Sequence, residues 1–165
     1  MKGSRSVVTG GAGFIGSNLV DHLVRIDHKV IVLDNFVSGK KANLAHHKKK
    51  DVKIIRVDIS KSKNLDKYFK KVDYVFHLAG LAEIIPSIKN PKKYFNTNVL
   101  GTLKVVEAAK RAGVKKLIYA ASSSCYGSPK NLPTSEKEKI DIKHPYGLTK
   151  FLGEQLVLKY ATNFN

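Results

Sequence analysis

Residues 9–16 read Thr-Gly-Gly-Ala-Gly-Phe-Ile-Gly, four glycines in eight positions. Such a stretch suits neither a helix interior nor a strand interior, because glycine loses more backbone entropy on ordering than any other residue. Its flanks say what it joins. Before it, Ser6, Val7, Val8 and Thr9 form a short apolar, β-branched run that reads as a buried strand. After it, Ile15, Leu19, Leu23 and Ile26 recur at helical spacing, with Ser17, Asn18, Asp21 and Arg25 between them, the pattern of an amphipathic helix. The glycines therefore make a tight turn from strand to helix, with Gly10, Gly13 and Gly16 three apart. The helix that follows offers unpaired N–H groups and the positive end of its dipole to an anion. A glycine pattern alone also fits an ordinary strand–turn–helix, and context decides. A second apolar strand, Lys29 to Leu33, runs into Asp34, 18 residues beyond Gly16. An acid there can accept hydrogen bonds from both hydroxyls of an adenosine ribose. Strand, glycine turn, helix, strand and acid together predict a dinucleotide site.

Strand and helix signals alternate through the rest of the chain. A polar loop (35–41) and a weak helix or irregular stretch to about Lys50 precede a strand at Val52–Val57. A short helix about Lys63–Lys70 and a strand from Val72 to about Leu78 follow. A variable stretch runs to Pro91, then a long helix from about Lys92 to Ala112, capped by Gly113. A fifth strand spans Lys115–Ser122, and after a loop with Pro129 and Pro133, Pro145 opens a last helix with Leu148, Leu152 and Leu156 on one stripe. Five strands with helical crossovers predict an α/β fold, a Rossmann-type doubly wound parallel sheet with helices on both faces. Ligands bind such sheets at the carboxyl ends of the strands. The glycine turn, Asp34, Asp58, His77 to Gly80 and Ser122 all fall at such ends.

The chain has 165 residues, which suggests one domain, and carries 30 Lys and Arg against 13 Asp and Glu. A net charge of +17 invites a nucleic-acid reading, but the lysines are scattered, and the densest run, His46 to Lys50, has no interleaved aromatics. A solvated lysine-rich surface fits better. His46 and His47 are adjacent, poor spacing for a shared metal, and read as surface residues; no metal site is expected. Cys125 is the only cysteine, so no intrachain disulfide forms, which fits a reducing cytoplasm. No apolar run is long enough to span a bilayer and no signal peptide is visible, so no membrane partner is expected.

Tyr146 and Lys150 lie four apart on the last helix and so share a face. An unperturbed tyrosine, with a pKa of about 10, is a poor base at neutral pH; a lysine ammonium one turn away favours its phenolate. The pair thus makes a tyrosine able to take a proton from an alcohol. Alone it would be an ordinary helix-surface pair. It gains weight after a dinucleotide fingerprint, on a helix following a strand that ends in three serines, of which Ser122 could bond the same substrate oxygen while Ser123 and Ser124 could simply form a turn.

The segments TGGAGFIGS, LDNF, VDI, HLAG, NTNVLGT, YAASSSCYG and HPYGLTK occur in that order. On these, the chain resembles the extended short-chain dehydrogenase/reductases, within them the NAD-dependent nucleotide-sugar epimerases and dehydratases, and most of all UDP-sugar 4-epimerases. The resemblance implies that Gly10, Gly13 and Gly16, with Phe14 and Ile15, cradle the NAD pyrophosphate. It implies that Asp34 and Asn35 hold the adenosine ribose, that Asp58 and Ile59 contact adenine, and that Leu78, Ala79 and Gly80 line the cofactor groove. Asn98 would brace the active-site helix and contact the cofactor. Ser122, Tyr146 and Lys150 would form the catalytic set, Lys150 also binding the nicotinamide ribose. Ser87 and Ser123 would lie near the sugar. The 4,6-dehydratases carry Asp-Glu after the catalytic Ser/Thr, and UDP-glucuronate decarboxylases carry Glu at the second of those positions; Ser123 and Ser124 here match redox at the sugar 4-position without elimination.

Similar full-length proteins are about twice this length and are expected to be homodimers. Residues 1–165 are therefore expected to be an NAD(P)-binding Rossmann-like domain without its substrate domain: a fragment, a truncated reading frame, or a part that a partner completes. The fifth strand would then be an open edge. A nucleotide-sugar epimerase, an NAD-binding module without turnover, and another dehydratase or reductase of the same family remain the competing expectations.

Overall fold

The structure, a computed structural model, describes residues 3–129 and 132–163. Strands β1 (Arg5–Thr9), β2 (Lys29–Asp34), β3 (Val52–Arg56), β4 (Tyr74–His77) and β5 (Lys116–Tyr119) form one sheet, ordered β3-β2-β1-β4-β5. Every pairing is parallel. The chain switches direction of travel across the sheet after β3, so a crevice opens beyond the carboxyl ends of β1 and β4.

The apolar runs follow from burial on both faces. Val7, Leu33 and Val75 enter one core with Phe69, Val105 and Ala108. Their neighbours Val8, Val30 and Val32 enter the other, with Val20, Leu23 and Leu44. Helix α1 (Phe14–Arg25) and a 3-10 turn at Lys41–Leu44 cover the second core; α2 (Asp66–Phe69) and α5 (Gly101–Arg111) cover the first. Helix α6 (Pro145–Asn163) completes the described chain.

Several expected elements are shorter or more broken than their sequence signals. The fifth strand stops at Tyr119 rather than Ser122, and Ser122 instead caps a 3-10 turn at Ser123–Tyr126 by accepting from the Ser124 N–H. The stretch before Pro91 holds a short helix, α3 (Ile84–Lys89). The long helix starts at Pro91 as α4 (Pro91–Phe95), widens into a π turn at Asn96–Leu100, and continues as α5. In α6 the stripe of Leu148, Leu152 and Leu156 is not the buried face; Gly147, Thr149, Lys150 and Gly153 are. Small residues let α6 approach closely: a side chain on Gly153 would run into the Tyr119 hydroxyl. Among the described residues β5 pairs with β4 alone and stands at an edge of the sheet.

Candidate functional site

The glycine turn lies at the mouth of the crevice. Gly10 has φ +70°, and a Cβ there would sit 2.8 Å from the Ala79 nitrogen, so the ends of β1 and β4 close up only around glycine. A side chain on Gly16 would strike the Gly10 carbonyl, which fixes how tightly α1 leaves the turn. Gly13 differs: the nearest protein atom to a Cβ there is 3.4 Å away. No side chain caps α1, and its first turn holds no acidic residue. Phe14 and Ile15, 84% and 67% exposed, flank that open N-terminus.

Asp34 ties this turn to β2. Its Oδ2 accepts from the Ala12 N–H at 2.9 Å and its Oδ1 from the Phe36 N–H at 2.8 Å. A carboxylate has about four lone-pair sites, so two remain for a ligand. Asn35 donates its side-chain amide to Asp58 at 3.5 Å, and Ser60 bonds the other Asp58 oxygen through N–H and hydroxyl. Burial raises the Asp58 pKa, but these donors outweigh it and hold the carboxyl below its usual range.

A cleft of about 340 Å³ runs from the turn past Asp34, Asn35 and Asp58 to Leu78, Ala79, Gly80 and Ala120. Gly10, Gly13, Phe14, Ile15, Gly16 and Ile59 line it too. Thus most of the residues assigned to a cofactor meet in one space. Ile59 is a partial exception: it is 3% exposed and packs in the core, beneath Gly101. Thr97 also lines the cleft; it falls in the NTNVLGT segment, but the sequence alone assigns it no role.

At the far end Tyr146 donates its hydroxyl to Ser122 Oγ at 3.2 Å. The Lys150 ammonium donates to the Ala120 carbonyl at 2.5 Å and sits 4.1 Å over the Tyr119 ring. Ala120 is a wall of the cleft, so that contact places the lysine head at the cleft's end. Burial lowers the Lys150 pKa to about 8, with the Glu154 charge opposing the shift. Ser123, exposed, is the first residue of the 3-10 turn.

Two of the assigned residues have side chains engaged within the protein. Ser87 is not an open sugar contact. It is fully buried, donates to the Ile84 carbonyl at 2.5 Å, and accepts from the Tyr146 N–H at 3.1 Å. Asn98 does not reach the cleft with its side chain. It is 1% exposed and spends its amide on the backbone of Leu81, in both directions, and on the Thr149 hydroxyl. It braces α6, as expected, but from underneath. Asn98 lies in the π turn, and such turns are frequent at functional sites.

His77 belongs to the same scaffold. Its ring bridges the Thr9 hydroxyl at 2.6 Å and the Thr102 hydroxyl at 2.9 Å. Because Thr102 donates onward to the Asn98 carbonyl, it accepts from His77 Nε2–H, and Thr9 donates to Nδ1. Burial, with some help from the Lys150 charge, drops the His77 pKa to about 3. It is a neutral strut, not a base.

A parallel sheet, an uncapped glycine turn and a Ser–Tyr–Lys corner define a dinucleotide-dependent enzyme fold of the short-chain dehydrogenase/reductase type. The sequence pattern of the NAD dependent epimerase/dehydratase family matches residues 6–165, and the chain belongs to that family. A putative UDP-glucose 4-epimerase of Methanocaldococcus jannaschii is 38% identical over 157 residues, covering 93% of this chain and 50% of its own. The UDP-N-acetylglucosamine 4-epimerase of Methanobrevibacter ruminantium M1, solved with UDP-N-acetylmuramic acid, superposes with a TM-score of 0.93 at 38% identity, over 99% of this chain and 52% of its own. The Bordetella bronchiseptica enzyme WbmG, solved with NAD, does so with a TM-score of 0.86 at 30% identity, over 95% and 50%. The chain thus spans about half the length of the relatives it matches. Among the described residues no helix is long and apolar enough to cross a membrane.

Proposed function

We propose that residues 1–165 are the NAD-binding part of a nucleotide-sugar 4-epimerase that acts on UDP-hexoses. The observation that carries the reading is the Tyr146–Ser122 hydrogen bond at 3.2 Å, with Lys150 anchored on the Ala120 wall of the glycine-turn cleft. Tyr146 and Ser122 share a hydrogen bond, and Lys150 bonds Ala120, a residue of the cleft wall.

The residues present fit NAD. The uncapped α1 N-terminus suits the pyrophosphate, and the spare lone pairs of Asp34 suit the two ribose hydroxyls. A 2′-phosphate would set its charge against the Asp34 carboxylate, so calorimetry is expected to show tighter binding of NAD than of NADP. Equal or tighter NADP binding would remove Asp34 from the ribose site. Bound NAD would supply a reversible hydride acceptor for carbon 4 of the sugar. Tyr146 accepts the 4-hydroxyl proton and later returns it. Ser122 holds the same oxygen. The Lys150 charge steadies the negative charge that develops on Tyr146. Ser123 and Ser124 stand where the resemblance places the Asp-Glu pair of the 4,6-dehydratases, which supports epimerisation over dehydration. The UDP-sugar substrate is carried over from the resemblance and the relatives, and assembly as a homodimer from the resemblance alone.

The experiment joins this chain to the second half of the Methanobrevibacter ruminantium enzyme and measures interconversion of UDP-glucose and UDP-galactose, and of their N-acetyl forms. NAD-dependent interconversion is the expected result. A chimera that folds and binds NAD but interconverts none of them would overturn the reading.

A further inference from the structure

His46 and His47 follow the 3-10 turn at Lys41–Leu44, and the structure does not leave them as two independent surface side chains. His46 Nε2 lies 2.9 Å and His47 Nε2 2.7 Å from the same oxygen, Oδ1 of Asp21 on α1. Adjacency in sequence is no bar, because the two rings tilt 40° apart with centroids 4.1 Å from each other and reach the same point. All three donor atoms lie within 4.8 Å of one another. The His47 side chain is only 8% exposed, while that of His46 is 58% exposed.

We propose that Asp21, His46 and His47 bind a divalent transition ion, with Zn²⁺ the best match. Two imidazoles and one carboxylate suit borderline metals, whereas Ca²⁺ and Mg²⁺ prefer all-oxygen shells. Zinc sits about 2.1 Å from such ligands, so it spans donors about 3–4 Å apart. The two contacts to Asp21 are already shorter than that, and the exposed His46 ring is free to open. The imidazole protons now on Nε2 move to Nδ1 when the metal takes their place. Three protein ligands leave a fourth position for water.

The donors are held in place from both sides. Val20 and Leu23, flanking Asp21 on α1, and Leu44, three residues before His47, share one core cluster. The ion therefore joins two segments already fastened to the same core. It also secures the cover of the glycine turn, since Lys40 N–H and the Asn43 amide both donate to the Ala12 carbonyl, at 3.0 Å and 2.9 Å. Lys48, Lys49 and Lys50 follow directly and weaken cation binding, so the affinity must be read at physiological ionic strength, where charges beyond about 8 Å are screened.

The test titrates Zn²⁺ into the untagged, chelator-stripped chain by calorimetry. The site predicts one ion per chain, and affinity lower by on the order of tenfold or more in His46→Gln. His46 is exposed, so this change spares the fold. His22→Gln, which removes the exposed histidine next to Asp21 on α1, is expected to bind as the parent does. No binding, binding unaltered in His46→Gln, or an equal loss in His22→Gln would each overturn the proposal.

Discussion

Two helices point their N-termini at the crevice, and they are finished in opposite ways. Helix α1 begins with no side-chain cap and no acid in its first turn. Helix α6 begins with every early amide accounted for. Pro145 has no N–H, Tyr146 N–H goes to Ser87 Oγ, Gly147 N–H to His144 Nδ1, and Leu148 N–H to the His144 carbonyl. An open N-terminus keeps its partial positive charge available to an anion. A closed one gives that up and gains a fixed backbone for the residue it carries. On the proposed reading the first receives the ligand, and the second is a mount for Tyr146.

The largest expected effect comes from closing the open end. Gly13 has ordinary extended backbone, ψ 177° with φ −75°, and no protein atom crowds it, so Gly13→Asp should fold normally. Its carboxylate would cap α1 and meet the pyrophosphate head on. NAD affinity is expected to fall on the order of a hundredfold, or about 3 kcal/mol, by calorimetry. Unchanged melting with lost NAD binding would confirm that this end is kept open for a ligand. Undiminished NAD binding would break the comparison.

A smaller effect is expected from Lys150 on α6. Its folded pKa of about 8 lies below its ordinary 10.5. Between those values the unfolded chain holds a proton that the folded chain has released, so stability rises with pH. The penalty for burying the charge is full below pH 8 and is relieved above it, at about 1.4 kcal/mol per pH unit. Denaturation of the chain from pH 8 to 9.5 should show this rise, and Lys150→Met should flatten it. A slope unchanged in Lys150→Met would mean that Lys150 is not buried as a charge.

The smallest expected effect comes from opening the closed end. In α3 the isoleucines Ile84, Ile85 and Ile88 are exposed and Ser87 is the buried residue, so this short helix serves α6 chiefly through one hydroxyl. Ser87→Ala leaves the Tyr146 N–H unpaired and should cost about 1–2 kcal/mol of stability. In the chimera kcat should drop severalfold while NAD affinity stays the same. Loss of NAD affinity instead would show that Ser87 supports the cofactor end.

The same contrast explains what the sequence revealed. The open end is built from residues 9–34, a local run whose glycines and terminal acid each have a backbone reason to be what they are. The pattern could be read directly, together with the doubly wound parallel sheet. The Ser122, Tyr146 and Lys150 corner was visible by spacing and by family resemblance. Its support was not. Ser87, Asn98, Thr149, Thr102 and His77 act through buried polar contacts between segments up to 68 residues apart, as from Thr9 to His77. No periodicity marks such a partner. Ser87 and Asn98 therefore drew ligand assignments when their side chains are occupied by the protein. The buried face of α6 was hidden for a related reason: it is made of small and polar residues that permit close approach, not of the leucine stripe.

The central claim is that cofactor holding and proton transfer reside in separate ends of one cleft, the second resting on Tyr146. Tyr146→Phe in the chimera tests it most directly, since the change removes one oxygen from a half-buried ring. Calorimetric NAD affinity should stay within about twofold of the parent, while UDP-sugar interconversion falls about 10²- to 10⁴-fold. Interconversion at the parent rate would contradict the assignment of the base, and loss of NAD binding with it would contradict the separation.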